Sequence, residues 1–257
     1  MIERVRGRVQ RLTRRVVTCR IRYSAQIPVM VICRDRLDPL LDLLAWLEAE
    51  GMTDIHLIDN DSTSPSLLDF FETTHHAVVR LGRNVGHTSP WLPELAHLRR
   101  GPFVVSDCDV VPDVDAAGAI QHFVELLNRY RSVVKVGFGL HIDDLPAHYD
   151  RREEVIAWES QFWQRPLVED VYMATLDTTF ALYRPRTPYT LGPSLRTGGR
   201  FMARHEPWYQ DSTAVTADLA YFQARAGAST TWNRERTGGT YGSSAGDAGP
   251  GIPDPSG

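Results

Sequence analysis

Two carboxylates one residue apart, Asp107 and Asp109, follow the apolar run Phe103-Val104-Val105 in the stretch VVSDCDVVP. A strand turns alternate side chains to opposite faces, so the spacing predicts that both acids point the same way at the strand's end. Two such carboxylates repel unless a cation or a bound proton compensates them. Their hard oxygen donors suit Mn²⁺ or Mg²⁺. Three more polar clusters follow apolar runs: Arg34-Asp35-Arg36, then Asp59-Asn60-Asp61-Ser62-Thr63, then Arg83-Asn84-Val85-Gly86-His87. A carboxylate in such a place also serves as a helix cap or turn former, the simpler reading for Asp61 and Ser62.

The elements that must position these clusters are legible from hydropathy. Apolar runs at 27–33, 55–58, 77–81 and 103–105 alternate with helical patterns at 39–50 and 66–72 and a short one at 92–98, so the expectation is an α/β fold with a mostly parallel sheet. A helix is expected near 116–130 and a strand at 132–138. Beyond them the aromatic-rich region with Trp158, Phe162, Trp163 and Tyr172 mixes period-two and helical signals. In an open parallel sheet, ligands bind outside the carboxyl ends of the strands, where all four clusters fall.

In this order and spacing, VMVICRDR, LIDNDSTSP, LGRNVGH and VVSDCDVVP resemble the nucleotide-binding half of GT-A fold glycosyltransferases, especially the family-two group, over roughly residues 28–115. The resemblance implies a metal-dependent transfer of a sugar from a nucleotide donor, a UDP-sugar by family frequency, to a glycan, lipid-linked or small-molecule acceptor. It puts Arg34 and Asp59 near the base and ribose, Asn84 and Gly86 near the ribose or phosphates, and Asp107 with Asp109 at the metal. TTFALYRP (178–185) resembles the family's later strand, and TADLAYF (216–222) stands where its acidic helix start belongs. That makes Asp218 the implied catalytic base, although Ala217 replaces the usual glutamate and a helix-start charge is the simpler role. Asp177, Asp143, Asp144 and Glu159 are its rivals. Several GT-A families use a late histidine as a metal ligand and an arginine near the diphosphate. In RFMARHEPWY (200–209), His205 takes the first part, and Arg204 or Arg200 the second.

Composition narrows the classes. The 257 residues carry 42% apolar and 23% charged side chains with a net charge of −4, which argues against nucleic acid as a partner. Three scattered cysteines encode neither a disulfide framework nor a zinc cluster. With no apolar run long enough to cross a bilayer and no signal-peptide core, the expected location is cytoplasmic. Residues 1–22 hold eight arginines against one acid, with an apolar stripe at alternating spacings of three and four. Such a basic amphipathic helix fits peripheral contact with an anionic membrane, or packing on its own domain. The expected organisation is this segment, a catalytic domain over 23–236 (27–115 for nucleotide and metal, 116–236 for acceptor) and a disordered tail over 237–257. Two rival readings stand beside the transferase: a haloacid-dehalogenase-like phosphatase using Asp107 and Asp109 with Lys135 and Asp143-Asp144, and a catalytically silent nucleotide-binding module.

Overall fold

The structure, a computed structural model, describes residues 20–211 and 220–221. The expected N-terminal helix up to residue 19, the base candidate Asp218 and the tail at 237–257 lie outside the described residues.

The described residues build one mixed sheet of ten strands with the order β3-β2-β1-β4-β9-β6-β10-β8-β7, with β5 on β10. These are β1 (Val29–Cys33), β2 (Ile55–Asp59), β3 (Ala77–Arg80), β4 (Phe103–Asp107), β5 (Val110–Pro112), β6 (Lys135–Leu140), β7 (Pro166–Val168), β8 (Val171–Met173), β9 (Ala181–Tyr183) and β10 (Ser194–His205). Strands β1 to β4 are parallel throughout, as the alternating pattern predicts: α1 (Asp38–Ala49) and α2 (Pro65–Thr73) provide the first two crossovers, and the segment 81–102 with two 3₁₀ turns provides the third. The expectation of a mostly parallel sheet fails in the second half. Strand β9 inserts antiparallel between β4 and β6, and β10 runs parallel to β6 but antiparallel to β5 and β8. The segment between β8 and β9 is a loop without a helix.

One face of the sheet carries Val29, Val31, Leu57, Val104 and Phe138. Against it pack Leu40, Leu43 and Leu47 of α1, Leu67 and Phe71 of α2, and Ile120, Phe123 and Leu127 of α3 (Ala119–Arg129). Met30, Ile32, Phe103, Val105 and Tyr183 form a smaller core on the other face under Leu95, Leu98 and Leu176. The short helix expected over 92–98 is instead a 3₁₀ turn, Pro93–Leu95, and a second such turn, Gly86–Trp91, precedes it. Pro90 and Pro93 remove backbone donors there and favour the tighter, shorter turns. No helix among the described residues is long and apolar enough to cross a membrane.

Candidate functional site

The register aligns the carboxyl ends of three strands. Cys33 lies opposite Asp59, Ile32 lies opposite Asp107, and the Cys108 amide donates to the Ile32 carbonyl at 3.1 Å. Asp107 therefore stands where β1 and β4 meet, the point at which the strand order reverses and the position at which open α/β sheets bind ligands. Strand β4 ends at Asp107, and Cys108 and Asp109 form a turn before β5, so simple alternation does not extend to Asp109. The two carboxylates are still close enough to feel each other. Burial, then the charge of Asp109, then that of Asp177 push the Asp107 carboxyl well above its ordinary range. The Thr178 hydroxyl works against that shift, at 3.1 and 3.0 Å from the two Asp107 oxygens.

Asp109 meets cationic and metal-ligating chemistry. The Arg36 guanidinium stands 3.1 Å from its Oδ2, and His205 Nε2 stands 3.7 Å from its Oδ1. His205 reaches this place because β10 pairs antiparallel with β5, His205 opposite Val110. Burial holds its imidazole below the usual pKa, the neutral form a metal requires. Its Nδ1 is enclosed without a hydrogen-bond partner. Two carboxylates and a neutral imidazole are a donor set that fits Mn²⁺ or Mg²⁺. Their ligand atoms are not all within 4.8 Å of one another, so Asp107 would have to close in on the other two.

The nucleotide-side candidates are more committed to the protein. Both oxygens of Asp59 are engaged, one by the Ser62 amide at 2.8 Å and one by Arg80 at 3.0 Å. Asn84 accepts the Gly86 amide at 2.9 Å, closing its own turn, and Gly86 has φ +75°, which a residue without a side chain adopts freely. Asn60 ties this turn to the end of β2, accepting from the Val85 amide at 3.0 Å and donating to the Gly86 carbonyl at 2.9 Å. Arg34 is partly buried, 4.0 Å from the Asp35 carboxylate.

Of the base candidates among the described residues, Asp177 alone stands beside the acidic pair. It is exposed, accepts from the Tyr189 hydroxyl at 3.1 Å, and its charge is felt at Asp107. Tyr189 packs on His87 and Trp91 of the Gly86–Trp91 turn, at 5.1 and 5.4 Å between ring centres, which brings the third motif to the same place. Glu159 is buried in an ion pair with Arg196 at 2.6 Å. Asp144 takes Arg204 at 2.9 Å and the Tyr209 hydroxyl at 2.5 Å. Burial alone would raise the Asp144 carboxyl, but these two hydrogen bonds together with the charges of His141 and Arg204 hold it below its ordinary range. Arg204 is therefore paired with Asp144, while His205, the next residue along β10, turns to Asp109.

Three residues carry more than the sequence reading assigned them. Asp35, at φ +51°, accepts the Thr63 and Ser64 amides at 2.6 and 2.7 Å and shapes the loop after β2. Arg36 compensates Asp109. Buried Lys135 donates to the Leu176 and Asp177 carbonyls and lies 3.3 Å from the Tyr183 hydroxyl, so it anchors the loop bearing Asp177 and Thr178. One signal was visible: Lys135 is the single lysine among 28 basic residues. Compared with known proteins, the chain matches no family model and no curated sequence.

Proposed function

We propose that this protein is a metal-dependent glycosyltransferase of the GT-A type, moving a sugar from a nucleoside-diphosphate donor to an acceptor hydroxyl. The observation that carries the reading is the position of Asp107 and Asp109 at the carboxyl end of β4, beside the end of β1, with His205 and Arg36 against Asp109. An acidic pair in that place suits a metal-bound diphosphate. Asp107, Asp109 and His205 would hold Mn²⁺ or Mg²⁺, which when bound neutralises the charge growing on the diphosphate leaving group. Arg36 sits where it can turn from Asp109 to a phosphate oxygen, a charge-assisted contact that a guanidinium makes well. Asp177 meets the positional requirement of a general base, an exposed carboxylate next to the acidic pair, oriented by Tyr189. Lys135 fixes that loop by its backbone.

The phosphatase reading needs Lys135 and Asp143-Asp144 at Asp107. Lys135 is instead spent on backbone carbonyls, and Asp144 on Arg204 and Tyr209.

The test is calorimetric titration of UDP, GDP, CDP and ADP with and without Mn²⁺, on the wild-type chain and on Asp107→Ala/Asp109→Ala. Metal-dependent binding of one nucleotide, lost in the double variant, is expected. No nucleotide binding under any condition would overturn the proposal.

A further inference from the structure

A second group of metal-ligating side chains lies at the opposite end of the sheet from Asp107 and Asp109. Glu48 is in the last turn of α1, while His75 and His76 form the turn that leads from α2 into β3. Glu48 Oε1 stands 3.4 Å from Nε2 of His75 and 3.2 Å from Nε2 of His76, and one ligand atom from each residue lies within 4.8 Å of the other two. Donors about 2.0–2.1 Å from a tetrahedral zinc-type ion stand roughly 3.3 Å from one another, which is the spacing of both edges.

Neighbouring residues in extended chain point to opposite faces, yet here the turn brings both imidazoles to one side, 4.1 Å between ring centres. The His76 side chain is 8% exposed and the His75 side chain 79% exposed, so one ligand is anchored and the other can adjust, with room for water as a fourth. The last turn of α1 has no basic residue, and the Glu48 carboxylate, near the negative end of the helix dipole, is met there by the His75 and His76 rings.

We propose that Glu48, His75 and His76 form a site for a divalent transition metal of the zinc class, tying α1 to the edge strand β3. Two imidazoles and one carboxylate select Zn²⁺, Co²⁺ or Ni²⁺ over Mg²⁺. The other described trio, His141, Asp143 and Asp144, is a poorer host because Asp144 is already held by Arg204 and Tyr209.

The test uses the full chain carrying Asp107→Ala/Asp109→Ala, so that the acidic pair cannot contribute. The chelator-treated protein is titrated with Co²⁺ while the visible absorption of tetrahedral cobalt is followed, and Zn²⁺ is then used to displace it. One equivalent is expected. Outer-shell changes at metal sites cost about 10–100-fold in affinity, so loss of a ligand in His75→Ala or Glu48→Gln should cost at least about 100-fold. His75 is exposed, so its replacement leaves the fold intact, checked by circular dichroism. Absence of a tetrahedral signal, a signal unchanged in both variants, or one abolished instead by His141→Ala would each overturn the site. None of these readouts depends on nucleotide binding.

Discussion

The Arg36 guanidinium stands 3.1 Å from the Asp109 carboxylate, with the two side chains 9% and 15% exposed, and so locks the loop after β1 to the turn after β4. Removing one partner of a buried pair strands the other charge. Arg36→Met is therefore expected to lower the unfolding free energy of the metal-free protein by about 3 kcal/mol in urea. Arg36→Met/Asp109→Asn should recover at least about 1 kcal/mol of that loss. Additive losses would mean that the pair is not coupled.

Asp177 and Asp218 are separated by turnover. With nucleotide binding as the control for folding, Asp177→Asn is expected to abolish transfer and leave nucleotide affinity within about twofold, since a general base acts on the reacting proton and not on ground-state binding. Wild-type turnover in Asp177→Asn would move the base role to Asp218.

Burial lowers the Lys135 ammonium from its ordinary 10.5 to about 7. A lysine that binds its proton less tightly in the folded state destabilises the fold most below the folded pKa, and this cost is relieved as pH rises from about 7 towards 10.5. Wild-type stability relative to Lys135→Met should therefore climb between pH 7 and 10, by at most about 1.4 kcal/mol per pH unit, and stay level below pH 7. Thermal melts of both proteins across that range would read it, and a parallel pair of curves would refute it.

Glu159 and Arg196 form a buried ion pair at 2.6 Å that joins α4 (Arg152–Glu159) to β10. Glu159→Gln should cost about 3 kcal/mol of stability by leaving Arg196 without its countercharge, while the transfer rate of the folded fraction stays at the wild-type value. A lost rate with unchanged stability would instead make Glu159 part of the chemistry.

Gly139 in β6 has no space for a side chain: a Cβ would lie inside van der Waals contact with the Trp163 ring and the Thr197 carbonyl. Gly139→Ala should cost more than about 2 kcal/mol by overpacking, whereas Gly101→Ala, where a Cβ meets nothing, should be within about 0.5 kcal/mol of wild type. Denaturation midpoints distinguish the two.

The sequence by itself determined the parallel half. Apolar runs alternating with amphipathic helices leave β1 to β4 little choice but right-handed crossovers, and the polar residues ending each run must then gather at one edge. That is why Asp107, Asp109 and the turn at Asn84 were legible. Only the tertiary structure decided which of these groups are free to act. Asp59 reads like a ligand group but is spent on Arg80 and Ser62, and Glu159 reads like a base but is buried against Arg196. Arg36 and Asp109, 73 positions apart, meet only because β1 and β4 are neighbours, and His205 reaches Asp109 only because β10 turns back along β5. Periodicity records which face of an element is buried, but it carries no information on long-range pairing of polar atoms. Such pairing is set by strand order and register.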